Sequence, residues 1–488
     1  MNLDQQKKQA RELLRGIRSG DVDALARLRS QATRFTDVDD ATIRQQAALH
    51  DAQFVLAREQ GFASWPKLKL YAEPSHVARH SRLYVADMQW IAQRVRGLVR
   101  TRGSAGPAAI EQIREWHPRF AEATDQEIVR APFSEDDACL VYAREHGFET
   151  WGELAARVRA VAANKSTEPF LLAFEILQAG DTDALTSLLR AHPGLARERG
   201  TNGNSLLSLA VSLYGKPGSG RDTDAVAALI AAGAEVDDVN DRGWTALHQA
   251  AYYNQPTFAA VLISHGSATD AEAHGSGGTP LVAALFWGHR EVADLLSTHG
   301  VVPNNLRTAA GLGVPELVDA CFNNDGILTP EACAARGFYR PHSGFPSWRP
   351  SHDPQEVLDE ALVWACKSNR VGVLDRLVRA GARVDADPYR GTPLIWAAAC
   401  NRLDAADWLL DHGADVNQKA TFGGESHGQG ITALHIAAQY GYLGIVKLLV
   451  ERGADISIKE DLYQATAAGA AEYFGQTGVR DYLASLKK

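Results

Sequence analysis

The chain has 488 residues, of which 45% are hydrophobic and 22% are charged, and its formal net charge is −9 at pH 7. This content supplies enough apolar surface for a large buried core, which excludes an intrinsically disordered chain. The acidic balance provides no general positive field that would attract phosphate backbones, so we expect no nucleic-acid partner.

The N-terminal residues, MNLDQQKKQARELL, lack the apolar core of a signal peptide. No stretch approaches the roughly 20 apolar residues that a membrane-spanning helix needs. The five cysteines form no CxxC pair and no regular framework, which suits a reducing compartment. These observations predict a cytoplasmic protein that does not bind membranes.

A duplication occupies the first third of the chain. Residues 57–65, AREQGFASW, return at 143–151 as AREHGFETW. In each copy a glycine follows an amphipathic stretch, as expected for a left-handed helix cap, and a serine or threonine then begins the next helix. We therefore predict that residues 1–165 form a duplicated α-helical module, with copies at about 10–75 and 95–160.

The clearest repeat in the second part of the chain is 430–461, GITALHIAAQYGYLGIVKLLVERGADISIKED. Ala437 and Ala438 allow a neighbouring helix to approach closely, and Gly441 turns the chain. The apolar residues that follow recur at helical spacing until Gly453, which favours a C-terminal cap. Two such short helices cannot bury their own apolar face, so the unit must stack on similar units.

The same phrase recurs along the chain. It reads WTALHQAA at 244–251, TPLVAA at 279–284 and TPLIWAA at 392–398. This pattern resembles the ankyrin repeat family over roughly 200–460. The resemblance implies an all-α solenoid of helix-turn-helix units joined by finger loops, and we expect about nine units in residues 166–488.

The resemblance also assigns structural roles to several histidines. In the ankyrin family the threonine and histidine of the TxLH phrase bond locally to hold the turn, so we expect His248 and His435 to be structural. His265, His299 and His412 each precede a glycine that closes a repeat. At that position a histidine suits the negative end of the helix dipole, and we expect no catalytic role for it.

Ankyrin proteins usually bind partners on a concave surface made by the first helices and the fingers. Aromatic residues in or just after the first helices are therefore candidate partner-binding residues, since large rigid rings make strong anchors. They are Tyr253, Trp287, Trp364, Trp396 and Tyr440. The alternative that Trp364 and Trp396 stack in the core is equally compatible with the sequence.

An insertion at 330–354, PEACAARGFYRPHSGFPSWRPSHDP, exceeds what a repeat requires. Because it is rich in proline and glycine, we expect an excursion rather than a helix. Its candidate partner-binding residues are Tyr339, Arg340, Trp348 and Arg349. So many aromatic and arginine side chains predict that the insertion packs onto another surface, for which the concave groove is a candidate.

Two finger loops are also unusual. Residues 420–430, ATFGGESHGQG, lengthen one finger, and 387–391, DPYRG, form the preceding one. Fingers of successive repeats project on the same side. We therefore expect Tyr389, Arg390 and Phe422 to lie near one another and to contribute to partner binding.

These patterns leave two functions open. The first is a cytoplasmic interaction protein that binds a protein or peptide through its concave aromatic face and finger loops, without assigned catalytic residues. The alternative is an enzyme or small-molecule binding protein whose pocket is roofed by 330–354. It would use His342, His352, Glu425 and His427 as acid and base, with arginines orienting a small anionic ligand.

A simpler interpretation of the same polar residues is that they pair with one another and hold the insertion in place. We expect no metal site and no cofactor. The polar residues of the insertion and fingers show no HxxxH or similar spacing, and His76 and His80, which do have that spacing, lack a third ligand. A deep pocket beneath the insertion would favour the small-molecule function, whereas an open groove would favour a protein partner.

Overall fold

The computed structural model describes residues 3–32, 35, 38–59, 65, 68, 83, 85–103, 107–164, 168–213, 222–240, 243–273, 277–334, 336–337, 348, 350–423 and 428–486. The fold is all-α, and the only strands in these residues are a short pair in one finger loop. The chain divides into two compact units. One contains residues 1–179 and 187–206, and the other contains 180–186 and 207–488.

The first unit is built from short amphipathic helices. They are α1 (Leu3–Ser19), α2 (Val22–Gln31), α3 (Asp40–Gln46), α4 (Leu49–Glu59), α5 (Met88–Gly103), α6 (Pro107–Trp116), α7 (Asp125–Arg130), α8 (Glu135–Glu145), α9 (Trp151–Ala163) and α10 (Pro169–Ala179). α1, α2 and α4 enclose one core, in which Ile17, Leu28 and Val55 are fully buried.

Equivalent contacts recur in the two halves of this unit. Arg29 at the end of α2 pairs with Asp40 at the start of α3, and Arg114 in α6 pairs with Asp125 at the start of α7. Each arginine also donates a hydrogen bond to a main-chain carbonyl of the intervening turn. These shared contacts support the proposed duplication, while the domain boundary at residue 165 and the number of repeats stay predictions.

The second unit is a succession of antiparallel helix pairs. After α11 (Thr182–Ala191), which both units share, the helices are α12 (Leu206–Leu213), α13 (Asp222–Ala231), α14 (Ala246–Tyr252), α15 (Pro256–Ser264), α16 (Pro280–Phe286), α17 (Arg290–His299), α18 (Leu306–Leu312), α19 (Pro315–Asp319), α20 (Pro330–Ala334), α21 (Pro354–Lys367), α22 (Leu374–Arg379), α23 (Pro393–Ala399), α24 (Leu403–Asp411), α25 (Ala433–Tyr440), α26 (Leu443–Glu451), α27 (Ala467–Tyr473) and α28 (Thr477–Ser485). The first helices of successive pairs pack side by side.

The two TxLH histidines link neighbouring repeats. His248 Nδ1 accepts a hydrogen bond from the Thr245 hydroxyl at 2.9 Å, and its Nε2 donates to Gly278 O at 3.1 Å. His435 is bonded in the same way, with Nε2 donating to Ala465 O at 3.2 Å. The structural role implied by the family resemblance is therefore confirmed for both.

The histidines before the closing glycines cap their own helices. The Nδ1 atoms of His265, His299 and His412 lie 2.8, 2.9 and 2.7 Å from the main-chain carbonyl four residues earlier. A ring N–H thereby donates to a carbonyl of the last helical turn, as basic side chains near a helix C-terminus commonly do. These three residues are structural, as expected.

The insertion at 330–354 is not free of helix, contrary to the expectation from its composition. Residues Pro330–Ala334 form α20, and Pro354 is the first residue of the long helix α21. Proline is compatible with both helices because its missing N–H and fixed φ suit the first helical position. The prolines therefore mark helix starts here, and only the residues between the two helices leave the helical pattern.

The lengthened finger at 420–430 contains the strand pair. β1 (Ala420–Thr421) runs antiparallel to β2 (Gln429–Ile431). The Asp387 carboxylate of the preceding finger accepts hydrogen bonds from the Thr421 amide and hydroxyl, at 3.1 and 2.7 Å. Hydrogen bonds thus join the two fingers, as we expected because fingers of successive repeats project on the same side.

The first helices α16, α21 and α23 converge at their C-terminal ends. Arg402 donates one hydrogen bond to Gly288 O at 2.6 Å and another to Lys367 O at 3.0 Å. Cys400 Sγ also lies 3.6 Å from Trp287 O. The ends of three helices from different repeats are therefore held together, although the α18 repeat lies between α16 and α21 along the chain.

Candidate functional site

A lysine occupies the point where these three helices converge. Lys367 is the last residue of α21, two positions before Asn369, whose φ of 55° marks the turn of the repeat. The same position, two residues before the turn, holds Phe286 in α16 and Ala399 in α23. Lys367 therefore stands where these two repeats place an apolar side chain, and it is only 1% exposed.

Three aromatic rings surround the Lys367 ammonium group. Its Nζ atom lies 4.3 Å from the ring centroid of Phe286 and 4.6 Å from those of both Trp364 and Trp396. We call these three rings the aromatic cage. Each distance is within the range of a cation–π contact, which attracts the charged form of the amine.

A buried ion network lies beside the aromatic cage. Both oxygens of Glu360 are engaged, one by Arg307 Nη1 at 2.9 Å and the other by Arg336 Nη1. Arg336 also reaches the partly exposed Glu356 at 3.0 Å. The Arg307 guanidinium carbon lies 4.8 Å from the Trp364 ring centroid, so Arg307 and Lys367 both contact that indole.

Lys367 itself has no polar partner in the described part of the chain. None of the described residues accepts a hydrogen bond from its Nζ atom or forms an ion pair with it. Burial lowers the pKa of this amine from 10.5 to about 7; the Arg307 charge lowers it further, whereas Cys400 and Glu360 raise it. The amine is thus poised to exchange a proton near neutral pH.

Two further donors near the amine also lack partners among the residues described. They are the indole N–H of Trp396 and the Nε–H of Arg307, both in fully buried positions. A buried donor without an acceptor costs roughly 1–3 kcal/mol. Three such donors in one place indicate a site built for an acceptor that the described residues do not supply.

A cleft leads to these donors. Its empty volume is about 380 Å³, part of which is open to solvent, and its lining includes the aromatic cage, Arg307 and Glu360. The less buried lining residues are Trp348, Pro388 and Tyr389, so they form its opening. The Trp348 and Tyr389 rings stack there with centroids 5.0 Å apart and planes 15° apart. We call this space the Lys367 cleft.

The structure brings four of the predicted partner-binding residues together in the Lys367 cleft: Trp348, Trp364, Tyr389 and Trp396. Trp364 and Trp396 are 3% and 2% exposed. They therefore do not offer their rings to a partner protein, and we revise their role from exposed anchors to walls of a cleft. Trp348 stacks on Tyr389 and so connects the insertion with the finger at 387–391. This agrees with the expectation that the insertion packs onto another surface.

Arg390 and Phe422 lie near one another, as expected, but their contact is internal. Arg390 donates hydrogen bonds to Gly423 O at 2.6 Å and Phe422 O at 3.3 Å. The Phe422 side chain is buried and lies 5.0 Å from Trp396 between ring centroids. These residues hold the long finger against the aromatic cage, so their role is to support the cleft wall.

Three predicted residues remain available at the surface. Tyr253 and Tyr440 are each 43% exposed, and Trp287 is partly buried. All three come directly before the left-handed residue that turns their repeat, and so they occupy the same repeat position. Trp287 lies 5.5 Å from Tyr252 and 6.5 Å from Trp396 between ring centroids.

Only one of the four candidate acid and base residues, His352, lies in the part of the chain that the structure describes. His352 is exposed, with Nδ1 3.3 Å from Cys333 O, and it does not line the cleft. The others lie outside the described residues, together with three partner-binding candidates from the insertion: His342, Glu425, His427, Tyr339, Arg340 and Arg349. Their roles stay predictions.

Sequence analysis missed the polar residues at the centre of the cleft. Lys367, Arg307 and Glu360 occur in helical segments that gave no motif. One signal was present: a lysine stands at a repeat position where the other six aligned repeats from α14 to α27 carry uncharged residues. A charged residue at a repeat position that is otherwise uncharged predicts a specific site more strongly than an unusual loop does.

Family comparison agrees with the repeated helix pairs. A family model of ankyrin repeats in three copies matches residues 207–306 and 348–420, and a model of the single ankyrin repeat matches 429–461. The protein is an ankyrin repeat protein. A search of curated proteins found no significant match to this ankyrin repeat protein.

The matched segments stop where this protein departs from the repeat pattern. The family matches omit residues 307–347 and 421–428, which contain α18 to α20 and most of the long finger. Ankyrin repeats mediate protein–protein interaction, and this coarse function applies to the matched array. No helix among the described residues has the length and apolar character needed to cross a membrane.

Proposed function

We propose that the protein binds a protein or peptide partner through a concave aromatic face formed by Tyr253, Trp287 and Tyr440. The observation that carries the proposal is their common placement at the ends of first helices. The two tyrosines keep nearly half of their surface exposed. Partly exposed tyrosine and tryptophan side chains anchor partners well, because they bury a large rigid area on binding at little entropic cost.

A quantitative affinity experiment tests this surface. The wild-type protein is compared as bait with a Tyr253→Ala, Tyr440→Ala double variant and with a Tyr473→Ala control. Tyr473 lies in the last repeat and is 85% exposed. A specific partner should be retained by the wild type and by the control, and lost from the double variant. If all three baits retain the same proteins in equal amounts, the concave aromatic face is not the binding surface.

A second candidate function is binding of a small molecule in the Lys367 cleft. The specific observation is the set of buried donors that the described residues leave without acceptors. The cleft also has an opening made by the insertion and a finger, in agreement with the alternative drawn from the sequence. None of the histidines proposed from the sequence as acid and base is among its described lining residues, and the unpaired donors themselves point to ligand binding.

A further inference from the structure

We propose that the Lys367 cleft binds a small monocarboxylate with a planar, aromatic body, whose carboxylate accepts hydrogen bonds from Lys367 and Trp396. The proposal deepens the second candidate function and rests on it. It is independent of a partner on the concave aromatic face. No residue of the cleft needs to react covalently with the ligand.

The charge at the cleft indicates one negative charge on the ligand. Three cationic side chains, Arg307, Arg336 and Lys367, are buried here. They face two carboxylates, Glu360 and Glu356, and both Glu360 oxygens already accept hydrogen bonds from arginines. One positive charge is therefore left without a partner when Lys367 is protonated. A monoanion balances it, whereas a phosphate dianion would bring excess negative charge into a buried site.

The donors indicate that the end of the ligand that enters the cleft carries oxygen acceptors. Lys367 Nζ and Trp396 Nε1 can donate but cannot accept, as is also true of Arg307 Nε. Trp396 Nε1 and Arg307 Nε are buried without a partner among the described residues, and none of these residues accepts a hydrogen bond from Lys367 Nζ. A carboxylate offers two oxygens with several acceptor positions, so one group can serve donors from α21 and α23 at once.

The shape of the cleft favours a flat ligand. The enclosed space of the cleft has room for about one water-sized group, so only the head of a ligand enters it and the body lies at the opening. The opening is lined by the stacked Trp348 and Tyr389 rings and by Pro388. Flat aromatic surfaces favour stacking or edge contacts with another ring, and an aliphatic carboxylate would gain less from them.

The protonation state of Lys367 couples binding to pH. The charged and titratable groups that face it are Glu360 on the same helix, Arg307 on α18 and Cys400 at the end of α23. A carboxylate interacts with the protonated amine, so affinity should fall as the pH rises above neutrality. Because an ammonium inside the aromatic cage also gains from the ring faces, binding takes up a proton rather than releasing one.

Isothermal titration of the full-length protein tests the proposal with benzoate and phenylacetate as probes, and with benzamide and benzyl alcohol as neutral analogues. The wild type should bind at least one carboxylate saturably and bind its neutral analogue roughly 10-fold more weakly or worse. Lys367→Met should weaken carboxylate binding by roughly 10- to 100-fold, and Trp396→Phe, which keeps a ring but removes the N–H, by several-fold.

Lys459→Met is the matched control, because Lys459 is exposed on the same array, and it should bind like the wild type. Equal binding of carboxylates and neutral analogues would overturn the carboxylate assignment while leaving a small-molecule site in place. No saturable binding of any probe, or unchanged carboxylate binding by both cleft variants, would overturn the second candidate function as well. Circular dichroism establishes that each variant is folded, and Trp396→Phe keeps the test decisive if Lys367→Met is not.

Discussion

Replacing Lys367 by methionine should stabilise the protein, and more so at low pH. Methionine fills a similar volume without a charge, and its thioether makes favourable contacts with aromatic rings. In the wild type, burial lowers the pKa of the Lys367 amine from 10.5 to about 7. Below about pH 7 the folded protein therefore carries a buried charge that the unfolded chain would keep in water.

The size of the effect follows from the pKa change. A drop from 10.5 to about 7 corresponds to about 5 kcal/mol, at roughly 1.4 kcal/mol for each pH unit. The aromatic cage opposes this, since each cation–π contact contributes about 0.5–2 kcal/mol to the charged form. We therefore expect the free energy of unfolding of the wild type, relative to Lys367→Met, to rise by roughly 1–4 kcal/mol between neutral and alkaline pH.

The sign follows from proton binding. Between pH 7 and 10.5 the unfolded lysine is protonated and the folded lysine is not, so the unfolded state binds more protons and the wild type gains stability as the pH rises. Urea unfolding of both proteins, followed by tryptophan fluorescence at several pH values, measures the difference. Parallel stability curves across this range would show that Lys367 keeps an ordinary pKa and would refute the reasoning.

Three other predictions concern the packing of the array, and two of them have a matched control substitution. Gly288→Ala should cost roughly 2–4 kcal/mol of unfolding free energy, because a Cβ atom there would lie 2.3 Å from a carbonyl oxygen of α21 at a φ of 68°. Gly475→Ala, at the same repeat position with a φ of 73° and no heavy atom within 4 Å, should cost only about 1 kcal/mol in the same urea experiment. Glu360→Gln should cost about 3–5 kcal/mol of unfolding free energy, since it leaves two buried arginines poorly paired. Asp319→Asn, in an exposed ion pair, should cost under about 1 kcal/mol. Equal losses of stability in the two variants would contradict this reasoning. Burial lowers the pKa of His289 to about 4, so the wild type should lose up to about 3 kcal/mol of unfolding free energy as the pH falls from 6.5 to about 4. The His289→Gln variant keeps a hydrogen-bond donor but does not titrate. It should therefore lose less stability in a thermal unfolding series over this pH range.

The repeated part of the fold was predictable because its causes are local. Alanine at 437 and 438, the turn glycine at 441 and the apolar residues that follow recur at a fixed spacing in other repeats. Each feature reflects a requirement of two short helices that stack on copies of themselves. The structural role of His248 was predictable for the same reason, because its partner Thr245 is only three residues away.

The insertion was harder to interpret because proline has two opposite meanings. It interrupts a helix interior but suits the first turn of a helix. Pro330 and Pro354 both stand at helix starts, so a composition rich in proline concealed two helix boundaries. A test for apolar spacing after each proline would have found α21, whose residues 357–367 are all buried.

The burial of Trp364 and Trp396 could not be decided from the sequence. Both come directly before the small-residue pair of their repeats, where either a core position or a groove position is compatible with the pattern. Their contact with Phe286, at 6.4 and 5.7 Å between ring centroids, joins residues that are distant along the chain. Such a contact depends on how the array curves, and curvature accumulates from small rotations between repeats.

The site arises where the regularity of the array is interrupted. The repeat between α16 and α21 has a second helix of only 5 residues, against 10 in the repeat before it, and it falls in a segment that the family models do not match. Across it, Arg402 joins the end of α16 to the end of α21 through hydrogen bonds to Gly288 O and Lys367 O. Because α16 and α23 come together across this repeat, Lys367 is enclosed by three rings from different repeats, and the end of a first helix becomes the centre of the Lys367 cleft.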